Sequence, residues 1–351
     1  MNTLEFYKGK RILLTGHTGF KGMWLTLLLL RAGADVTGVS LDAPTEGGAE
    51  ALHRLGILDD IRDVRSDVRD MAALSNAFRE ARPEVVFHLA AQPIVRQSYR
   101  QPVDTFAANV MGTVNLLECV RTSDTVRSAL IVTTDKVYEN KEWAWGYREN
   151  EPLLGYDPYS ASKSCAELAV YSYRQSFLAA QDVRTSTARA GNVIGGGDFA
   201  PDRIIPDCIR AAVHRETIDI RNPRSTRPYQ HVLEPLSVYL TIAARQAEDA
   251  GLVGAWNVGP DDADCVTTGE LADIFCHAWG DGVRWQTHAD NGPHEANFLK
   301  LDCSKIKTEL GWQPRWHIAE AVEQTVAWAK AWEAGANMRA VTEKQIDRFF
   351  A

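Results

Sequence analysis

A glycine-rich turn directly after the first apolar run decides which folds this chain can adopt. Lys10–Thr15 is a short apolar run typical of a buried strand, and the turn Gly16–Gly22 follows at once, with glycines at its first, fourth and seventh positions. The apolar stretch Met23–Arg31 then predicts a helix. Glycines in this context let the backbone approach a pyrophosphate, and the helix N-terminus favours its negative charge. The pattern predicts a dinucleotide-binding unit; the alternative is a turn that binds nothing.

Further apolar runs alternate with helical stretches through the first half of the chain. Strand-like runs lie at 34–41, 63–67, 84–92, 129–133 and 183–189, and helical patterns at 71–81, 102–121 and 158–180. Strands that alternate with helices form parallel sheets, so we expect an α/β fold with a Rossmann-type doubly wound parallel sheet.

A glycine-rich, irregular segment at 190–199 marks a change in the character of the chain. We therefore expect two parts. Residues 1–190 form a dinucleotide-binding Rossmann domain, to which strands return from about 229–260. Residues 191–351 form a smaller, mixed α/β C-terminal substrate lobe.

Length, charge and cysteine content exclude several classes of protein. The chain has 351 residues and a net charge of −8, which argues against a nucleic-acid partner because that would need a basic face. No apolar run approaches membrane-spanning length and none precedes the first strand, so we expect a cytoplasmic protein without a membrane partner. The six cysteines lack any Cys-x-x-Cys spacing, which predicts reduced thiols and neither a disulfide framework nor a metal site.

The stretch Ala129–Tyr138 changes abruptly from apolar to polar at the end of a predicted strand. Thr133, Thr134, Asp135 and Lys136 follow the apolar half directly. Open α/β sheets bind ligands just outside the carboxyl ends of their strands. These side chains are therefore candidates for proton transfer to and from a substrate.

A tyrosine and a lysine on the next helical stretch form a second candidate group. Asp157 and Pro158 are typical of a helix start, and a helix places Tyr159 and Lys163 on one face, one turn apart. Free tyrosine has a pKa of about 10, and lowering it to near neutrality takes about 4 kcal/mol. An ammonium about 4 Å away in a partly screened site supplies a comparable energy. Lys163, together with a cationic cofactor ring, is the expected source of that energy.

The glycine turn, Thr134 and the Tyr159/Lys163 pair together resemble the extended short-chain dehydrogenase/reductases that act on nucleotide sugars, over nearly the whole chain. Longer segments at 15–22, 133–138, 189–198, 227–235 and 299–305 are most similar to the branch that dehydrates CDP-hexoses. The resemblance implies NAD as cofactor and a CDP-hexose as substrate. It also implies a homodimer or homotetramer, paired through helices 102–121 and 158–180, and a role in 6-deoxysugar biosynthesis for lipopolysaccharide O-antigen.

The same resemblance assigns roles to the catalytic candidates. Tyr159 takes the proton of the sugar 4-hydroxyl and Thr134 hydrogen-bonds that oxygen, while NAD accepts the C4 hydride and later returns it to C6. Asp135 and Lys136 then serve the loss of water across C5 and C6. Related dehydratases usually carry glutamate where this chain has Lys136, and the alternative for Asp135 and Lys136 is a surface ion pair.

Other residues are expected to hold the two ligands. The expected NAD-binding residues are Gly16, His17, Thr18, Gly19, Phe20, Gly22, Ser40, Asp67, Val68, Ala90, Ala91, Asn109 and Thr133. The expected substrate-binding residues are Asn192, Arg203, Arg227, His231, Glu295 and Asn297. Relatives usually hold the adenosine ribose with an acid at the end of the second strand, but that end reads Ser40-Leu41-Asp42 here, so we expect a weaker contact. Asn109 also fits a satisfied buried amide, and Asp70 fits a helix cap.

Two further functions fit part of this pattern. A nucleotide-sugar 4-epimerase would use Thr134, Tyr159 and Lys163 without needing Asp135 and Lys136, and a dehydratase for another nucleotide-hexose is a further alternative. A non-catalytic dinucleotide-sensing protein would be expected to have lost Tyr159 or Lys163, and both are present.

Overall fold

The structure is a computed structural model that describes residues 3–287 and 298–351. Its strands, β1 to β13 in order, are Arg11–Thr15, Asp35–Ser40, Arg62–Arg65, Val85–His88, Ser128–Val132, Arg184–Ala190, Val193–Ile194, Ile218–Ile220, Thr226–Pro228, Gln230–His231, Ala255–Val258, Cys265–Thr267 and Trp285–Thr287. Its α-helices, α1 to α13 in order, are Phe20–Arg31, Glu46–Leu55, Met71–Ala81, Val95–Arg100, Pro102–Phe106, Gly112–Thr122, Pro158–Tyr173, Ile204–Val213, Leu233–Glu248, Thr268–Trp279, Ser304–Leu310, Ile318–Glu333 and Met338–Phe350.

Seven parallel strands form the central sheet, in the order β3-β2-β1-β4-β5-β6-β11. Successive apolar residues of β1 enter different cores: Leu13 packs with side chains of α3, α6 and α7, whereas Ile12 and Leu14 pack with those of α1 and α9. Continuous apolar runs are therefore buried on both faces, as parallel strands require. The expected doubly wound parallel sheet is confirmed.

The C-terminal half contributes one strand to this sheet and builds a smaller region beside it. β11 pairs with β6, and α9 packs against β5 and β6. Three two-stranded sheets, β7–β10, β9–β12 and β8–β13, lie beside α8, α10 and α12 around a core of their own. The run expected as a strand near 229–232 is β10, which pairs with β7 and not with the central sheet. The division into two parts near residue 190 stays a prediction.

Two helices differ from their predicted form. The helix expected over 102–121 contains a π-helical turn at Ala107–Met111, and the helix from Pro158 ends in another at Arg174–Leu178. A π turn inserts one extra residue and rotates the side chains that follow it. By contrast, α3 begins where the sequence predicted, with the Asp70 carboxylate accepting the Ala73 N–H.

The expected absences concern only the part of the chain that the structure describes. No helix there is long and apolar enough to cross a membrane. No group of three or more His, Cys, Asp and Glu side chains in the same ranges is arranged to hold a metal ion. All six cysteines are free thiols.

Candidate active site

A cavity of about 1320 Å³ lies at the carboxyl ends of the central strands, between the sheet and the C-terminal region. Sites for single small ligands usually measure about 300–1,000 Å³. The cavity is therefore large enough for two ligands side by side. Its wall on the sheet side contains the glycine turn, the polar residues after β5 and the start of α7; its other wall contains residues 191–229.

The glycine turn forms one end of the cavity and is shaped as a phosphate cradle requires. Gly16 has φ of +80°, and a Cβ there would lie 2.7 Å from the Ala90 nitrogen. A Cβ on Gly22 would lie 2.0 Å from the Gly16 carbonyl oxygen. Only glycine fits at either position, and α1 starts at Phe20 with its first N–H groups at the cavity. The turn therefore fits the pyrophosphate of a dinucleotide.

His17, which the sequence placed among the cofactor residues, does not line the cavity. Its side chain is fully buried, and its Nε2 lies 2.8 Å from Asp63 Oδ1. Its ring packs against Gly38 of β2 so closely that a Cβ on that glycine would lie 2.5 Å from the imidazole. The His17 side chain therefore packs between the turn and β2, and a contact of this residue with the cofactor stays a prediction.

The other expected cofactor residues on the strand ends reach the cavity, with one exception. Thr18, Gly19, Phe20, Ser40, Asp67, Val68, Ala90, Ala91 and Thr133 all contribute to its lining. The Ser40 and Thr18 hydroxyls are 2.7 Å apart, and the carboxylate of Asp42 is 96% exposed and paired with Arg65. No carboxylate therefore stands directly at the end of β2. Asp67 is paired with Arg69 at 2.6 Å.

Asn109 is the exception, because it is buried below the cavity lining. Its Oδ1 accepts the Gln92 N–H, and its Nδ2 donates to the Gln92 carbonyl and, at 2.9 Å, to Ser162 Oγ. The π turn at 107–111 directs this side chain toward α7. Asn109 thus ties the loop after β4 to the helix that carries Tyr159, and the expected contact with cofactor is corrected to a satisfied buried amide.

The five catalytic candidates converge on one side of the cavity. Thr134 Oγ1 donates to Asp135 Oδ1 at 3.0 Å, and the Thr134 side chain also hydrogen-bonds Tyr159. Lys163 Nζ donates to the Val132 carbonyl at 3.1 Å. Tyr159 and Lys163 both lie on helix α7. This helix begins at Pro158 because the Asp157 carboxylate caps it by accepting the Ser160 N–H.

Asp135 and Lys136 do not form a close surface ion pair. The Asp135 side chain is 1% exposed, whereas that of Lys136 is 30% exposed and its Nζ lies 4.0 Å from Asp135 Oδ1. Asp135 Oδ2 is buried and has no hydrogen-bond partner among the described residues. A buried carboxylate oxygen without a partner is costly, so it marks a place where a ligand atom completes the site.

Burial dominates the protonation of the tyrosine and the lysine. The pKa of Tyr159 is raised to about 12, mainly by burial; the Thr134 hydrogen bond lowers this pKa, and the nearby Asp135 carboxylate raises it. Burial lowers the pKa of Lys163 to about 8, with Glu167 opposing that change. Arg203 also lowers the Tyr159 pKa. The expected lowering of the Tyr159 pKa by Lys163 stays a prediction. Further positive charge from a ligand is needed to lower the Tyr159 pKa toward neutral pH.

Lys21 is a site residue that the sequence analysis missed. It lies within the glycine turn and lines the cavity. Its pKa is lowered to about 7, mainly by burial and also by the cations Arg203 and Lys163, against the opposing effect of Asp135 and Asp198. Its signal in the sequence was a charged residue between two glycines of the cradle, a position that faces the ligand.

Several arginines lie on the wall of the cavity that residues within 191–229 form. Asn192, Arg203 and Arg227 line the cavity as expected, and Arg203 pairs with Asp198 at 2.8 Å. Arg221, which the sequence analysis did not single out, also lines it and pairs with Asp202 at 3.0 Å. Guanidinium groups suit phosphate oxygens because they donate two parallel hydrogen bonds.

Of the remaining three expected substrate contacts, the structure describes only His231, which does not line the cavity. His231 is fully buried, with its ring centroid 4.8 Å from that of Trp316 and 5.8 Å from that of Trp24, and its Nδ1 accepts the Leu233 N–H. Its expected contact with substrate is therefore wrong: it is a core histidine. Glu295 and Asn297 lie outside the described residues.

Comparisons with known proteins agree with this geometry. The sequence profile of the GDP-mannose 4,6 dehydratase family matches residues 13–325. The chain is 47% identical over 354 aligned residues to the CDP-glucose 4,6-dehydratase of Salmonella typhimurium, covering 99% of this chain and 98% of that one.

Solved structures share the fold. The UDP-glucose 4-epimerase of Thermus thermophilus, in complex with NAD, superposes with a TM-score of 0.79 and 25% identity over 91% of this chain and 99% of that one. DesIV, the dTDP-glucose 4,6-dehydratase of Streptomyces venezuelae, gives 0.78 and 24% over 93% and 98%. The chain therefore belongs to the GDP-mannose 4,6 dehydratase family of extended short-chain dehydrogenase/reductases.

Proposed function

We propose that this protein is a CDP-glucose 4,6-dehydratase, a hydro-lyase that uses NAD without net oxidation to convert CDP-D-glucose into CDP-4-dehydro-6-deoxy-D-glucose. The identity of 47% over almost the full length of a protein with that name supports the substrate. The observation that carries the reaction type is Asp135, a buried carboxylate with a free oxygen beside the Tyr159/Thr134/Lys163 group.

The residues present fit NAD. The glycine cradle and the N-terminus of α1 would hold the pyrophosphate, Ser40 and Asp67 would approach the adenosine, and Ala90 and Ala91 would leave room for a ribose. When bound, NAD accepts a hydride from sugar C4 and returns it to C6.

Oxidation at C4 uses Tyr159, Thr134 and Lys163. Tyr159 takes the proton of the 4-hydroxyl, and Thr134 holds the same oxygen by a hydrogen bond. Lys163, charged while the pH is below its pKa of about 8, stabilises the tyrosinate electrostatically. The product of this step is a 4-ketone, which acidifies the neighbouring C5–H.

Elimination uses the two residues that follow Thr134. Lys136, as the neutral amine, removes the C5 proton, and Asp135, protonated on Oδ2 for this step, gives that proton to the departing 6-hydroxyl, so that water leaves and a C5–C6 double bond forms. The proton that Tyr159 took from the 4-hydroxyl replaces the one that Asp135 gives up. After the hydride reaches C6, a proton returns to C5 from Lys136. Both groups extend from the same strand end toward the cavity, which lets them act on adjacent carbons.

The alternatives explain less of the site. A 4-epimerase needs Thr134, Tyr159 and Lys163 but gives no reason for an unpartnered buried carboxylate at Asp135. A sensor without turnover gives no reason for the Tyr159/Lys163 pair. A dehydratase for another nucleotide-hexose would use the same five residues and is separated by the choice of substrate.

We also infer a homodimer, with a homotetramer as the larger alternative. The helices expected to pair carry exposed apolar side chains on their outer faces: Val103, Phe106, Met111, Leu168, Tyr171 and Phe177. A cytoplasmic location is proposed from the free thiols, which suit a reducing compartment. Supply of 6-deoxyhexoses for lipopolysaccharide O-antigen stays a prediction.

One assay tests the proposed activity. The purified protein is incubated with NAD and, separately, with CDP-, dTDP-, GDP- and UDP-glucose and with GDP-mannose, and the product masses are measured. We expect loss of one water from CDP-glucose. A product of unchanged mass with inverted C4 would identify an epimerase, and loss of water from another nucleotide-hexose would reassign the substrate.

A further inference from the structure

A buried ion pair behind the catalytic residues has no part in the reaction described above. Arg189 of β6 donates from Nε to Glu167 Oε1 at 3.0 Å and from Nη2 to Oε2 at 2.8 Å, and both side chains are 4% exposed. A buried ion pair gives little net stability over apolar residues of the same size, because both charges lose their water. Its best-supported advantage is to fix one arrangement of the elements that carry it.

The glutamate half of the pair fixes helix α7 to the ends of two strands. Besides Arg189, the Glu167 carboxylate accepts from Thr133 Oγ1 at 2.5 Å and from Thr187 Oγ1 at 2.8 Å. Glu167 follows Lys163 by one helical turn on α7. These hydrogen bonds to Glu167 therefore fix the position of Lys163 relative to the end of β5.

The arginine half of the pair holds the other end of the catalytic segment. Arg189 Nη1 donates to Tyr138 Oη at 2.8 Å, and that hydroxyl donates to Asn257 Oδ1 of β11 at 2.6 Å. Thr133 and Tyr138 are the first and last residues of the segment that carries Thr134, Asp135 and Lys136. Glu167 thus holds one end of that segment, at Thr133, and Arg189 holds the other end, at Tyr138.

We propose that the Glu167–Arg189 pair is a positioning device. It holds the segment Thr133–Tyr138 at both ends and fixes helix α7 against that segment, so that the catalytic residues of the helix and those of the segment reach the same substrate. This inference rests on the proposed function. Catalytic groups misplaced by about 1 Å lower a rate by about 10²-fold, so such a clamp has a measurable effect.

The first experiment removes each end of the clamp without disturbing the ion pair. Thr133→Val and Tyr138→Phe each delete one buried hydroxyl. Assayed with CDP-glucose and saturating NAD, each variant should lose about tenfold in kcat while the KM for CDP-glucose changes by less than about twofold. Thr133→Ser, which keeps the hydroxyl, should restore the wild-type rate.

Two buried hydroxyls elsewhere provide matched controls. Ser128 Oγ donates to the Ala243 carbonyl at the opposite end of β5, and Tyr7 Oη donates to the Leu240 carbonyl. Ser128→Ala and Tyr7→Phe should lower thermal stability as the test variants do but leave kcat per folded molecule unchanged. If Thr133→Val and Tyr138→Phe also keep the wild-type kcat, the proposal is overturned.

The two clamp variants should also differ from each other. Tyr138 lies next to the elimination residues, so Tyr138→Phe should slow exchange of the C5 proton with solvent deuterium more than it slows single-turnover formation of NADH. Thr133 adjoins Val132, which accepts the Lys163 hydrogen bond, so Thr133→Val should slow NADH formation more. Equal losses in both steps for both variants would contradict separate holding of the two ends.

A third variant tests the pair itself through the pH profile. Glu167→Gln keeps the shape of the side chain but removes the charge that opposes the lowered pKa of Lys163. The ammonium is then lost at a lower pH, so the alkaline fall in kcat should move to lower pH, and kcat should drop about 10²-fold. His88 and Lys21, which also interact electrostatically with Lys163, are unchanged in this variant.

The outcomes separate the inference from the proposed function. A wild-type protein that does not dehydrate CDP-glucose overturns both. An active wild-type protein with an unmoved pH profile in Glu167→Gln overturns the inference alone. If Glu167→Gln does not fold, the Thr133 and Tyr138 variants decide the matter.

Discussion

The two walls of the cavity are built on different physical principles. On the sheet side, Thr134, Asp135 and Lys163 are 4%, 1% and 5% exposed and are held by hydrogen bonds to neighbouring elements. On the substrate-lobe side, the side chains of Arg203 and Arg221 are 33% and 31% exposed, and each pairs with an aspartate. These sheet-side groups are buried and fixed in place, whereas the arginines of the other wall are charged and partly exposed.

This difference assigns a separate task to each wall. Charges interact several times more strongly in a buried site than in water, and fixed groups need no reorganisation during the reaction. Arg221, whose partner Asp202 is also partly exposed, can exchange that partner for phosphate oxygens at little cost. Changes to the buried wall should therefore act on kcat, and changes to the exposed wall on KM.

The largest expected effect comes from removing the proton acceptor of the buried wall. Tyr159→Phe should lower kcat by about 10⁴-fold, because general acid–base groups contribute up to about that factor. NADH should not form even in a single turnover, measured by absorbance, while CDP-glucose still binds. NADH formation at the wild-type rate would remove Tyr159 from its role.

A somewhat smaller effect would separate oxidation from elimination on the sheet-side wall, where Lys136 is 30% exposed although Thr134 and Asp135 are buried. Lys136→Ala should still oxidise C4, so NADH should appear and persist, whereas exchange of the C5 proton with solvent deuterium should fall by about 10³-fold. Unchanged exchange at C5 would make Lys136 only a distant charge partner of Asp135, and the base would have to be sought among other cavity residues.

A change to the exposed wall should show the opposite kinetic pattern. Arg221→Met should raise the KM for CDP-glucose by about tenfold, as expected for a charged hydrogen bond, with kcat within about twofold. The effect should shrink as salt screens the charge. Arg82→Met, which removes an exposed arginine paired with Asp124 away from the cavity, is the matched control. A fall in kcat with unchanged KM would overturn the division of tasks between the walls.

The smallest expected effect concerns the end of β2, where the nearest carboxylate in the cavity lining, that of Asp42, is 96% exposed and paired with Arg65. Purified protein should lose part of its NAD, so activity should rise when NAD is added. Leu41→Asp places an acid at this exposed position and should tighten NAD binding by about fivefold, measured by calorimetry. Leu41→Asn controls for the change of shape. Protein that is purified fully loaded, or an unchanged affinity in Leu41→Asp, would contradict the weak ribose contact.

Much of this molecule could be predicted from local sequence patterns. The strand–turn–helix unit around Gly16–Gly22 and the cap at Asp70 depend on residues close together in the chain, which propensity and spacing describe directly. The polar end of β5 and the helical spacing of Tyr159 and Lys163 belong to the same class.

The misplaced residues share one property, which is that long-range packing decides their surroundings. His231 is a polar residue in a polar-looking segment, yet Trp24 and Trp316 from distant parts of the chain enclose it. Asn109 was turned toward α7 by a π turn that helical periodicity does not reveal.

By itself, the sequence determined the parallel α/β fold, the glycine cradle and the set of candidate catalytic side chains, because each depends on alternation or spacing over a few residues. Only the tertiary structure decided which of them share the cavity, that Asp135 keeps a free oxygen, and that Glu167 and Arg189 meet behind it. Those facts depend on contacts between residues far apart in the chain, and on the loss of water that burial causes.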